Sequence, residues 1–211
     1  GGTGTLIAAG FLKTAAAILL SPFLGFLLGA LLMVMASWVG TLSTARKMDR
    51  MYKYLQYVSA ALYSLGHGSN DAQKTMGIIW MILIAAQLTS ADAPLPFWVV
   101  LACQTAMGLG TLFGGWRIVR TMGMKITKLR PVSGFSASAS GAITLFIATS
   151  LGVPVSTTHT ITGSIVGVGA ARNVNAVRWG VAGNIVWAWV LTIPSSAFIA
   201  GVAWWVGQHY F

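Results

Sequence analysis

The residues able to do chemistry in this chain are concentrated in two short stretches. The first, GHGSNDAQK from Gly66 to Lys74, gathers a histidine, an acid and a base with the neutral oxygens of Ser69 and Asn70. The second, PVSTTH from Pro154 to His159, sets three hydroxyls in a row before another histidine. Asp71 is the one acid lying well inside an apolar span. Ionised and buried in lipid, it costs several kcal/mol unless it is paired or binds a cation. A carboxylate beside hydroxyl and amide oxygens suits a hard cation or a proton relay. Gly66 and Gly68 each weaken a helix by about 1 kcal/mol relative to alanine, which predicts a break near Gly66–Asn70. Broken helix in lipid is tolerated only where it lines a cavity or is buried in protein. The plainer reading is a structural Asp71–Lys74 pair one turn apart, with His67 as a packing residue. Such a pair needs neither the glycines nor the Ser-Asn beside it.

In the second stretch Pro154 limits helix on its N-terminal side. Ser156 is placed to cap a helix running from Thr157 to about Gly169. Free N–H groups at a helix N-terminus, with hydroxyls around them, make an oxyanion site. Inside a membrane this is the anion site of discontinuous transporter helices. The competing use is as interhelical hydroxyl packing, which membrane bundles employ widely.

Both stretches are embedded in a chain made for lipid. Of 211 residues, 56% are hydrophobic and 8% charged, where soluble domains carry about 25% charged residues. The stretches Thr14–Ala45, Val132–Ala171 and Trp179–Phe211 hold no Lys, Arg, Asp or Glu. A bilayer core takes roughly 20 apolar helical residues to cross, so the fold class is all-α: a polytopic helical membrane protein with broken helices. The net charge of +10 is gathered mainly at about 41–53, 117–130 and 172–178. Basic clusters at the ends of apolar spans mark cytoplasmic loops, whereas a nucleic-acid face would interleave aromatics with bases on a soluble surface. No nucleic-acid partner is expected. The loop around Asp92 is then external, Tyr54–Ala91 crosses once in net, and Val132–Ala171 enters and returns as two spans or a re-entrant hairpin. Ser21-Pro22 reads as a helix start, and Pro194 as a bend in the last helix. The lone Cys103 provides neither a disulfide framework nor a cysteine metal site. Residues 1–211 read as a single transmembrane domain. The opening Gly-Gly-Thr-Gly, without Met or a signal-peptide pattern, suggests a piece of something longer.

GHGSNDAQKTMG followed by PVSTTHTITGSIVGVG resembles the inorganic phosphate transporter (PiT) family. Gly110–Pro131 and Val177–Trp189 resemble the C-terminal half of a bacterial-type member. The family carries a Gly-x-Asn-Asp and a Pro-x-Ser-Thr-Thr motif in each of two inverted halves. The resemblance implies half of an inverted-repeat symporter in the bacterial inner membrane, coupled to a proton or sodium and using no other cofactor. By position it implies that Asn70 and Asp71 hold the coupling cation and that Ser156, Thr157 and Thr158 hold phosphate. Ser69, His67, Lys74 and His159 would be accessory, and no metal is implied beyond a sodium ion at Asn70 and Asp71. The partners implied are inorganic phosphate, the lipid bilayer and a missing N-terminal half, with a homodimer as a further assembly. Ser138 stands where many members have Glu, which would shift coupling from sodium towards protons through Asp71.

Two other functions compete. A sulfate carrier of the same type would use the same cradle of hydroxyls and N–H groups. An intramembrane serine hydrolase would use Ser136 with His159 as base, but Ser136 lacks the following glycine and His159 lacks an orienting acid. The reading is therefore a carrier and not an enzyme. Gly25/Gly29, Gly110/Gly114 and Gly163/Gly167 are small-xxx-small pairs for close helix packing or for a dimer.

Overall fold

The computed structural model describes residues 8–210. The opening Gly-Gly-Thr-Gly and the first residues of the apolar segment from Thr5 lie outside the described residues. Seven α-helices follow in order: α1 Ala8–Gly40, α2 Ala45–Ala85, α3 Phe97–Phe113, α4 Trp116–Arg120, α5 Pro131–Ser150, α6 Thr157–Arg172 and α7 Trp179–Tyr210. A π turn, Thr121–Lys125, extends α4, and a 3-10 turn, Val174–Ala176, follows α6. Among the described residues Leu12–Gly40, Pro131–Ser150 and Trp179–His209 are long and apolar enough to cross a membrane, with mean hydropathies of 2.4, 1.4 and 1.8. Phe97–Phe113 and Ile118–Lys125 make a further bent pair at 66°. Gly115, at φ +91°, supplies a backbone conformation at this corner that side-chain-bearing residues rarely adopt. The chain divides into two compact units, residues 1–177 and 178–211. The second is α7, an unbroken helix with Pro194 inside it.

Within the first unit α1 packs along α6, and α2 along α5, as the two largest helix contacts. The α1–α6 seam is built from glycine. A Cβ on Gly163 or Gly167 would overlap the carbonyl oxygen of Pro22 or Phe26. One on Gly25 or Gly29 would come within 2.5 or 2.6 Å of the carbonyl oxygens of Thr160 and Ser164. The two small-xxx-small pairs therefore interlock inside the molecule, backbone against backbone. Gly110 has no atom within 4 Å of such a Cβ, and Gly114 meets only the Gly110 carbonyl, so that pair takes no part in a seam. Buried hydroxyls in α5 and α6 bond carbonyls of their own helix: Ser136 to Val132 at 2.9 Å, Thr144 to Ser140 at 2.9 Å, Ser164 to Thr160 at 3.0 Å. Satisfied locally, they act as small packing residues.

Three boundaries differ from the sequence reading. Ser21-Pro22 starts no helix, because α1 runs unbroken from Ala8 to Gly40 with Pro22 inside. Proline lacks the N–H that would bond the carbonyl four residues back, that of Ile18. The His159 side chain lies against the Ile18 backbone at this point, filling the gap that the proline leaves in the ladder. Nor does α2 break at Gly66–Asn70. Gly66 is a contact point: a Cβ there would press to 3.3 Å from Leu145. The basic residues at 45–53 stand on the first turns of α2 rather than in a loop, which is confined to 41–44.

The break lies instead between α5 and α6. Gly152, at φ +60°, ends α5 in a left-handed turn. Its N–H bonds Thr149 O at 3.0 Å, and that of Val153 bonds Ala148 O at 2.9 Å. This is the paired closure of a Schellman cap. Val132–Ala171 is thus two helices of unequal reach. The 20 residues of α5 are membrane-length, whereas the 16 residues of α6 span only about 24 Å against a hydrocarbon core of about 30 Å.

Candidate functional site

Asp71 is the hub. It stands on α2 opposite the break, its side chain 25% exposed. Oδ2 receives Thr157 Oγ1 at 3.1 Å and lies 3.0 Å from His67 Nε2. Oδ1 receives Lys74 Nζ at 2.9 Å. Lys74 also donates to the Val155 carbonyl at 2.7 Å, so one ammonium links the acid to the chain just before α6. Tyr63 donates its hydroxyl to the Thr157 carbonyl at 3.1 Å and stacks on the His67 ring at a centroid distance of 6.0 Å. Residues 63, 67, 71 and 74 recur at steps of four, four and three, which places them along one face of α2. That periodicity was visible in the sequence and identifies Tyr63, which the motifs passed over.

Ser156 is the N-cap of α6, as its type and place predict. Its hydroxyl accepts from the His159 N–H at 3.4 Å, and its carbonyl from the Thr160 N–H at 3.0 Å. The first N–H groups of a helix have no partner within it. Those of Thr157 and Thr158 lead the helix, at its positive dipole end. Thr157 and Thr158 line a cleft of about 850 Å³ together with Tyr63 and His67 of α2 and residues of α3 and α4. Thr158 is exposed to this space, whereas Thr157 is 3% exposed and committed to Asp71.

Asn70 faces another neighbour. It is 4% exposed, and its Nδ2 donates to Thr149 Oγ1 at 3.3 Å near the end of α5. Its Oδ1 is buried without a donor. An amide oxygen left so costs about 1–3 kcal/mol, and a neutral oxygen of this kind is a ligand for a hard cation. Asn70, Lys74 and Thr149 share a small cleft of about 250 Å³ with the turn at Gly152–Pro154. Among the described residues no cluster of three His, Cys, Asp or Glu forms.

The structure therefore brings together Asp71, Lys74, His67 and Thr157, and places Asn70 one residue away towards α5. Ser69 is turned into a different cleft, beside Gln104 and Thr111 of α3. His159 serves the α1–α6 contact through Ile18. Ser136, the alternative nucleophile, is fully buried and gives its hydrogen bond to Val132. Thr149 and the Val155 carbonyl were invisible to motif reading, since only the folded turn presents them.

An all-helical chain with several membrane-length apolar helices, and an acid, a base and hydroxyls meeting beside the turn between two of them, is an integral membrane protein. Residues 1–200 match the model of the phosphate transporter family (PHO4), and the chain belongs to that family. It is 58% identical over 203 residues to a probable low-affinity inorganic phosphate transporter of Rhizobium meliloti (strain 1021), covering 96% of this chain and 61% of that protein. A Bacillus subtilis (strain 168) protein of the same description is 47% identical, over 93% of this chain and 59% of its own length. The chain thus spans about three fifths of the length of these two relatives. A solved structure, "The sodium-dependent phosphate transporter", shares the fold with a TM-score of 0.78 at 24% identity, over 95% of this chain and 67% of that one. These are membrane carriers rather than enzymes, and the relatives place the chain in the bacterial plasma membrane.

Proposed function

We propose that this chain provides a substrate and coupling-ion site of a cation-coupled inorganic phosphate carrier. The observation that carries the reading is the 3.1 Å hydrogen bond from Thr157 to Asp71, which joins the two motifs at the start of α6. Phosphate oxygens are taken by the Thr157 and Thr158 N–H groups and by the hydroxyls of Ser156 and Thr158, at the positive end of the helix dipole, and by the Thr157 hydroxyl when it turns from Asp71 to the anion. The coupling cation is held by Asp71 and Asn70. Accessory groups are His67 and Lys74, which already touch Asp71. The unpartnered Asn70 Oδ1 favours a sodium ion, and the His67–Asp71 contact favours a proton. A second inverted half, supplied by the remainder of the full-length protein, completes the site.

Radiolabelled phosphate uptake by the full-length protein in liposomes tests this, with a sodium or a proton gradient imposed and sulfate as competitor. Uptake driven by either gradient and indifferent to sulfate is expected, and the effective gradient assigns the ion. Uptake unresponsive to both gradients sinks the coupled reading. Strong competition by sulfate moves the substrate to that anion.

A further inference from the structure

The start of α2 carries a feature the transport site does not use. Arg46, Lys47 and Arg50 are exposed there and form no ion pair; among the described residues the ion pairs all involve Asp71. The first turn of α2 has no acid, and Thr44 makes no side-chain cap. Cations at this end oppose the helix dipole, so the sequence places positive charge where the helix itself disfavours it. The three residues line a cleft of about 440 Å³ with Met51 and Tyr54, and no carboxylate lines it. Asp49 lines the neighbouring cleft on the other side of the Arg46–Arg50–Tyr54 ridge.

Below the cations runs an apolar stripe. Lys47, Met51, Tyr54, Val58, Ala61 and Leu65 follow one another at steps of four and three, which aligns them on one helix face. Met51, Tyr54, Val58 and Leu65 are 38%, 65%, 58% and 61% exposed. From Tyr54 to Leu65 is about 16 Å of helix, close to half of a hydrocarbon core about 30 Å thick. A tyrosine at the junction of charge and apolar stripe is where interfacial aromatics stand.

We propose that this corner binds one anionic phospholipid, its phosphate seated on Arg46, Lys47 and Arg50 and an acyl chain laid along Met51–Leu65. Free phosphate would use the cations and leave the stripe unexplained. A partner helix covering the stripe would need acids placed at its end to meet three cations, whereas a lipid carries charge and chain in one molecule. The lipid satisfies both, and the charge belongs on the basic, cytoplasmic side of the membrane.

The test uses the full-length protein in detergent, titrated with phosphatidylglycerol or phosphatidylcholine, with native mass spectrometry counting the lipid bound. Phosphatidylglycerol is expected to bind in preference. The R46Q/K47Q/R50Q variant should bind it roughly a hundredfold more weakly, about fivefold for each charge lost. Arg50→Gln alone should show the single fivefold step, which keeps the test available if the triple variant does not fold. K125Q/K128Q, in another basic segment, should bind as the parent does. Equal binding of both lipids, or unchanged binding by the variants, overturns the proposal. Displacement of the lipid by inorganic phosphate would do so too, assigning the corner to a soluble anion.

Discussion

At the scale of single residues, Asp71 is held by three side chains that come from two directions. His67 and Lys74 lie on its own helix, and Thr157 reaches across from α6. A hydrogen bond to a charged group is worth about 1.5–3 kcal/mol. Thr157→Val should therefore raise the KM for phosphate about tenfold or more in liposome uptake, whereas Thr157→Ser, which keeps the hydroxyl, should stay near the parent value. Asp71→Asn should abolish uptake while the protein still folds, a combination checked by thermal melting alongside transport. The sequence pairs Lys74 with Asp71 one turn away and offers it no other partner. The structure adds its bond to the Val155 carbonyl at 2.7 Å. Lys74→Gln is now expected to weaken uptake, because it loosens the approach to α6 as well as the acid. Motif reading found the acid, the base and the hydroxyls by type. It could not find a backbone carbonyl as a partner, because a carbonyl has no signature in sequence.

At the scale of helices, the misplaced boundaries share a cause. From local rules Pro22 reads as a helix start and the Gly66–Gly68 pair as a break, yet both sit inside continuous helices. Each is explained by a residue far along the chain: His159 lies against the Ile18 backbone, and Leu145 packs against Gly66. The Ser156 cap was legible because its partner, the His159 N–H, is three residues away. Removing the His159 ring with His159→Ala should lower the melting temperature of the purified protein. His159→Gln, with a side-chain N–H still available, should recover part of the loss. The glycine seam gives a sharper contrast. Gly163→Ala or Gly167→Ala would drive a methyl into a backbone carbonyl of α1, costing about 1–3 kcal/mol as overpacking does. Gly77→Ala, on α2 with nothing within 4 Å of a Cβ, should be neutral or stabilising by about 0.5–1 kcal/mol. Denaturation of the three variants in one detergent checks the order.

At the scale of the molecule, composition alone was enough to read a helical membrane protein, because the length of charge-free helix is set by the bilayer and not by tertiary contacts. Sidedness follows from the basic clusters. Cysteines placed at Leu42 and Lys128 should react with an impermeant thiol reagent only from the cytoplasmic face, and one at Ala91 only from outside. Cys103, 8% exposed, should remain largely unlabelled and serves as the internal control. The clasp between Asp71 and Lys74 also has an electrical meaning. A charge moved across a membrane does work of about 2.3 kcal/mol per 100 mV. With His67 neutral, the acid and the ammonium 2.9 Å away sum to zero. On the proposed function, an empty carrier changing face would take this pair along without feeling the voltage, so a dependence of the cycle on membrane potential would enter with the ions it loads and not with the site that waits for them.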